Sequence, residues 1–138
     1  MTTQERLPTR VTVNDFFTGL FATLKLRGQS TFSIRGDRFD AVIKELYDQL
    51  QARADDEHLD VRFRVRPHRT YGDSDTVRRA LRSAAQRRII SFDNPEYLDI
   101  RIQLDESDAA RKLSRLPLPS GLFDELADLF VDEYRSRR

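Results

Sequence analysis

Between Val61 and Ile102 the period of the apolar residues changes from two to about 3.6 and back to two, and this switch limits the fold more than any other stretch. Val61, Phe63 and Val65 alternate with Arg62, Arg64 and Arg66. A strand over 59–66 would therefore set an apolar row on one face and three guanidinium groups on the other. Pro67 ends such a strand, and the His-Arg-Thr-Tyr-Gly-Asp-Ser-Asp run after it is turn chemistry. Val77, Ala80, Leu81 and Ala84 then recur at helical spacing over about 75–88, with Asp73 or Ser74 as the cap. Residues 88–92 and 97–102 flank Asp93-Asn94-Pro95-Glu96, which predicts a β-hairpin. Each of these pieces has one apolar side, so the rest of the chain must supply the partners that cover them.

The flanking sequence offers such partners. Residues 1–12 lack periodicity and read as a flexible arm. Phe16, Phe17, Leu20, Phe21 and Leu24 form a helical stripe. Asn14 is its expected N-cap, Val13 is placed to staple the first turn, and Gly28 stands where the helix should end. Thr31–Ile34 reads as a short strand. A helix starting at Gly36-Asp37 carries Phe39, Val42, Ile43, Leu46, Tyr47 and Leu50 to about Arg53, before the acidic 54–58 loop. A shorter helix near 106–115 sets Ala109, Ala110, Leu113 and Leu116 to one side. Leu116-Pro117-Leu118-Pro119 breaks the chain, and Ser120 caps a final helix that ends in a basic 135–138 tail. The expectation is one α+β domain over residues 1–138, with about five helices and a small antiparallel sheet. A chain of 138 residues is long enough for one core.

Several function classes are poorly served. The chain has no cysteine, which removes thiolate zinc sites and cysteine nucleophiles. His58 and His68 lie in loops without the spacing of a helical metal pair. No glycine-rich phosphate loop or nucleophile elbow occurs. Asp93, Glu96 and Asp99 lack the nearby lysine that a metal-dependent nuclease would want. The expectation is therefore a non-enzymatic protein without cofactor or metal. No apolar run approaches the roughly 18 residues of a membrane span, and the N-terminus has no secretory core, so no membrane association and a cytoplasmic location are expected.

Charge is what singles out the middle of the chain. Net charge is +1, yet residues 61–92 carry nine arginines against two aspartates, a net of +7 between flanks of −2 and −4. With 21 arginines and three lysines overall, the position of an arginine is more telling than its identity. On the 75–88 helix, Arg78, Arg79, Arg82 and Gln86 lie opposite a narrow seam of mostly small residues, with Arg87 and Arg88 at the end. Arginine forks onto guanine or phosphate and glutamine can read adenine. The outline of elements over roughly 13–103 resembles the winged helix-turn-helix class, without a diagnostic motif. That resemblance implies DNA binding through the third helix. The hairpin tip is acidic here, so the implied grip is by helix and strand, with the wing held away. The Arg62, Arg64 and Arg66 row could meet phosphates, or pair with Asp99 or with carboxylates of the final helix.

Two further surfaces follow from the same reasoning. Leu122, Phe123, Leu126 and Phe130 give the final helix an apolar face that either closes the core or forms a subunit interface, as in a homodimer. A +7 block also attracts acidic protein surfaces. The alternative to nucleic-acid binding is thus an adaptor or accessory subunit of a larger complex.

Overall fold

A helix that is apolar around its whole circumference has to be enclosed. The computed structural model describes residues 8–33, 38–65, 75–92, 99–116, 118 and 120–136. In it α1 (Val13–Leu26) has nine consecutive buried residues, Phe16 to Leu24. The other elements are β1 (Thr9–Val11), β2 (Thr31–Ser33), α2 (Arg38–Ala54), β3 (Leu59–Val61), α3 (Asp75–Gln86), β4 (Ile90–Phe92), β5 (Asp99–Ile102), α4 (Glu106–Arg115) and α5 (Ser120–Ser136). Helices α3, α4 and α5 pack around α1, and α5 also packs along α2. The result is one mixed α+β unit with five helices among the described residues.

α1 starts two residues earlier than expected. Thr12, not Asn14, is the cap: Asp15 donates its N–H to Thr12 Oγ1 at 3.1 Å, and Thr12 donates its own N–H to Asp15 Oδ2 at 3.3 Å. The reciprocal pair explains the preference, because the residue three beyond Asn14 is Phe17, which cannot bond back. Val13 is consequently inside the helix. At the other end Gly28 takes φ 82°. Its N–H reaches Lys25 O at 3.0 Å, and Gln29 N–H reaches Leu24 O at 2.9 Å, which is the paired closure that favours glycine.

The N-terminal arm is only partly an arm. Residues 1–7 lie outside the described set, but Thr9–Val11 forms a parallel ladder with Leu59–Val61, and Val11 is buried. The strand expected over 59–66 is correspondingly short. Its partner is confined between Pro8 and the helix cap Thr12, so the ladder closes with Arg62 N–H on Val11 O at 2.9 Å. Residues 62–65 keep the alternation without a ladder: Arg62 and Arg64 are exposed, Val65 is buried and Phe63 is half-buried.

The second sheet is antiparallel, in the order β2-β5-β4. Phe32 faces Ile100, Ile90 faces Ile102 and Phe92 faces Ile100, so one side of the sheet is apolar. Ile102 donates its N–H to Ser30 O at 2.7 Å. The alternation of an antiparallel ladder then turns the N–H and C=O of Ser33 to the free edge of β2. Tyr134 of α5 takes both: its hydroxyl accepts from Ser33 N–H at 2.8 Å and donates to Ser33 O at 2.9 Å. A side chain thereby occupies part of an edge that would otherwise be open to another strand.

The apolar face of α5 is not an outer face. Leu122 and Phe123 are each 3% exposed, and Leu126 and Phe130 are fully buried. Phe130 meets Phe32 edge-on at 5.0 Å and stacks with Tyr134 at 5.5 Å. These four residues close the chain's own core, and the subunit interface expected on them is not available. The excess of aromatics is absorbed because α1 is covered on several sides at once. Among the described residues Leu26, 43% exposed, is the only large apolar side chain at the surface.

The crossing of α1 and α5 depends on Gly19. A Cβ built there would lie 2.2 Å from Cζ of Phe123, inside the ring's own volume. Replacing Gly19 by alanine should destabilise the protein by about 1–3 kcal/mol, the range for overpacking a close contact, despite alanine's better helix propensity. Chemical denaturation of Gly19→Ala checks this; an unchanged or raised midpoint would contradict the packing.

Candidate nucleic-acid interface

Helix α3 has the two faces that its sequence implies. Val77, Ala80, Leu81 and Ala84 are buried against α1 and β4. Arg79, Arg82 and Gln86, at i, i+3 and i+7, are exposed on the opposite side. At about 1.5 Å per residue this stripe is roughly 10 Å long. The small seam residues let the helix lie close to its neighbours, which fixes the axis on which the stripe is carried.

Arg78 belongs to a different environment from its neighbour Arg79. Its Nη2 donates to Asp40 Oδ2 at 2.7 Å, and its side chain is 25% exposed while that of Asp40 is 2% exposed. Asp40 stands in the first turn of α2, where a carboxylate is favoured by the helix dipole. A buried carboxylate needs such a partner. Arg78, expected to face a ligand, thus joins α2 to α3 through an ion pair at the edge of the core.

The C-terminal end of α3 also departs from expectation. The helix closes at Gln86 rather than Arg88. Arg87 donates from Nη1 to Thr18 Oγ1 of α1 at 3.2 Å. Arg88 takes the left-handed conformation, at φ 60°, so it neither extends the helix nor begins β4. Both arginines are exposed. The shift has a packing cause: Ile89 and Ile90 must turn into the core, where they are 0% and 1% exposed.

Of the row on the 59–66 segment, Arg62 and Arg64 are exposed and Arg66 lies outside the described residues. Arg62 Nε lies 3.4 Å from Asp60 Oδ2. Neither cross-strand alternative applies to the two described arginines. β3 pairs with β1 and not with β5, which carries Asp99. Three carboxylates of α5 have other partners: Asp124 and Asp128 bind Arg27 from the end of α1, and Glu125 binds Arg53 of α2. These contacts hold both guanidinium groups above their usual range, chiefly through the side-chain hydrogen bonds from Arg27 to Asp128 and from Arg53 to Glu125. The Phe63 ring lies tilted against those of Phe16 and Tyr47, each at 5.5 Å, and so ties this segment to α1 and α2.

Other sites are sparse. The hairpin tip, Asp93-Asn94-Pro95-Glu96, lies outside the described residues. Among the described residues no cluster of histidine and carboxylate side chains could hold a metal ion, and no helix is long and apolar enough to cross a membrane. A shallow depression of about 310 Å³ beside Tyr134 is lined by Thr31, Phe32, Ser33 and Asp99. A second, of about 230 Å³, lies between Thr23, Leu113, Leu118 and Phe123. No family model, curated protein or solved structure matches this chain.

The structure separates exposed arginines from committed ones in a way that stability can measure. Arg78→Ala removes the ion pair of a buried carboxylate and should cost about 2–3 kcal/mol, below the full buried-pair figure because Arg78 is partly solvated. Arg82→Ala removes an exposed side chain and should stay within about 0.5 kcal/mol. Denaturant titration of the two variants side by side checks the contrast, and equal losses would contradict it.

Proposed function

We propose that this chain is a non-enzymatic nucleic-acid-binding protein of winged-helix-like arrangement, with a regulatory or accessory role, and that it binds duplex DNA in preference to RNA. The observation that carries the reading is the outer face of α3: Arg79, Arg82 and Gln86 stand exposed in one stripe, and no salt bridge engages Arg82 among the described residues. A charge left solvated, as at Arg82, can attract a polyanion. The order α1-β2-α2-α3-β4-β5, with strands arranged β2-β5-β4, supports the winged-helix comparison. The 55–74 connection and the β1–β3 ladder are additions to that plan.

The choice of DNA follows from groove shape. A helix enters the wide major groove of B-form DNA, whereas the deep, narrow major groove of A-form RNA excludes it. In this reading Arg79 and Arg82 contact phosphate or guanine, Gln86 faces base edges, and Arg62 and Arg64 add phosphate contacts. Arg78 is retained as the brace between α2 and α3. Self-association through α5 is not part of the reading.

Titration of labelled duplex DNA and duplex RNA over a salt series tests it. Affinity for DNA should fall with salt, with a log–log slope of about −0.9 for each phosphate contact. The triple variant Arg79→Ala, Arg82→Ala, Gln86→Ala should fold as the parent does, bind at least tenfold more weakly, and lose roughly one to two units of slope. No binding at low salt, or an affinity indifferent to salt, would overturn the reading in favour of an acidic protein partner.

A further inference from the structure

Two helices of this chain end in the same way and differ in one residue. At the end of α1 the left-handed position is Gly28, at φ 82°, with N–H bonds of 3.0 Å from Gly28 to Lys25 O and 2.9 Å from Gln29 to Leu24 O. At the end of α3 the same position is Arg88, at φ 60°, with bonds of 3.1 Å from Arg88 to Ala85 O and 2.9 Å from Ile89 to Ala84 O. Glycine enters this conformation without strain, whereas any residue with a Cβ is disfavoured there. One closure therefore uses the residue that the geometry wants, and the other does not.

Nothing within the fold accounts for the arginine. Its side chain is exposed and takes part in no side-chain hydrogen bond or salt bridge among the described residues. A charge serving only the helix dipole would do as well in the last turn of α3, where no basic residue stands. The preceding Arg87 is tied to Thr18, so of the two consecutive arginines one is anchored and the other points away from the fold.

We infer that Arg88 is a phosphate-binding residue, kept at the α3–β4 corner against backbone strain because its guanidinium holds the phosphodiester backbone of the nucleic acid lying on α3. This rests on the nucleic-acid reading above. Strained backbone positions persist where the side chain they present has a use, and a planar guanidinium suits a phosphate.

The test uses Arg88→Gly and Arg88→Asn in the full chain, with folding stability and duplex DNA binding measured on the same samples. Both substitutions relieve the strain, so the folding equilibrium constant should rise about threefold to fivefold. Binding at low salt should weaken about threefold to tenfold, and the salt slope should fall by roughly one contact. Variants that gain stability while keeping the parent's affinity and slope overturn the inference and leave the broader reading intact. Variants that lose stability overturn it as well, because the strain would then be absent. A parent chain that binds neither duplex overturns both.

Discussion

The whole structure depends on enclosing α1. Nine consecutive buried residues leave that helix no solvent face, so its neighbours must come from three directions. Helices α3, α4 and α5 supply them. The approach of α5 is possible only because residue 19 has no side chain, which gives the Phe123 ring its seat. Burial of this kind is worth about 1.5–3 kcal/mol for each large apolar side chain, and Phe16, Phe17, Leu20, Phe21 and Leu24 are all 0–1% exposed. Even Thr23 fits without an orphaned hydroxyl, because its Oγ1 donates to Gly19 O at 2.8 Å.

Once α1 is enclosed, the arginines sort themselves by what is left to pair with. Arg27 and Arg53 clamp α5 onto the ends of α1 and α2 through its carboxylates. Arg78 braces α2 against α3, and Arg87 reaches back to α1. These four are joints between elements. Arg64, Arg82 and Arg88 are exposed and have no ion pair among the described residues. The same residue type thus serves two purposes, and only the partners distinguish them. A solvated guanidinium contributes little to stability, so the second group is where binding to a polyanion can be sought.

Much of the architecture was legible from apolar spacing, and the misses have identifiable causes. The stripes of α1, α2, α3 and α5 and the antiparallel β4–β5 pair are long-range patterns in one dimension, and the structure follows them; on α4 Ala109 is buried but Ala110 is exposed, so the stripe there is narrower than its sequence suggests. The β1–β3 ladder was hidden because three residues carry no period; Val11 needed Val61 beside it to become a strand. Thr12 caps in place of Asn14 because a cap depends on the residue three places on, here Asp15. In the candidate site, the exposed Arg79, Arg82 and Gln86 stripe follows from helical geometry alone. The fate of Arg78 does not, since it turns on Asp40, 38 positions away. Likewise, the face of α5 reads identically in sequence whether it meets its own core or another chain. The left-handed turn at Arg88 had no glycine to announce it.

The central claim is that the fold divides its arginines into joints and a binding surface on α3. The most direct measurement is an NMR titration that follows the arginine side-chain Nε–H resonances while duplex DNA is added at low salt. The account expects shifts at Arg79, Arg82 and Arg88, with Arg27, Arg53 and Arg78 unmoved. Shifts confined to Arg27 and Arg53, or a spectrum that duplex DNA leaves unchanged, would contradict it.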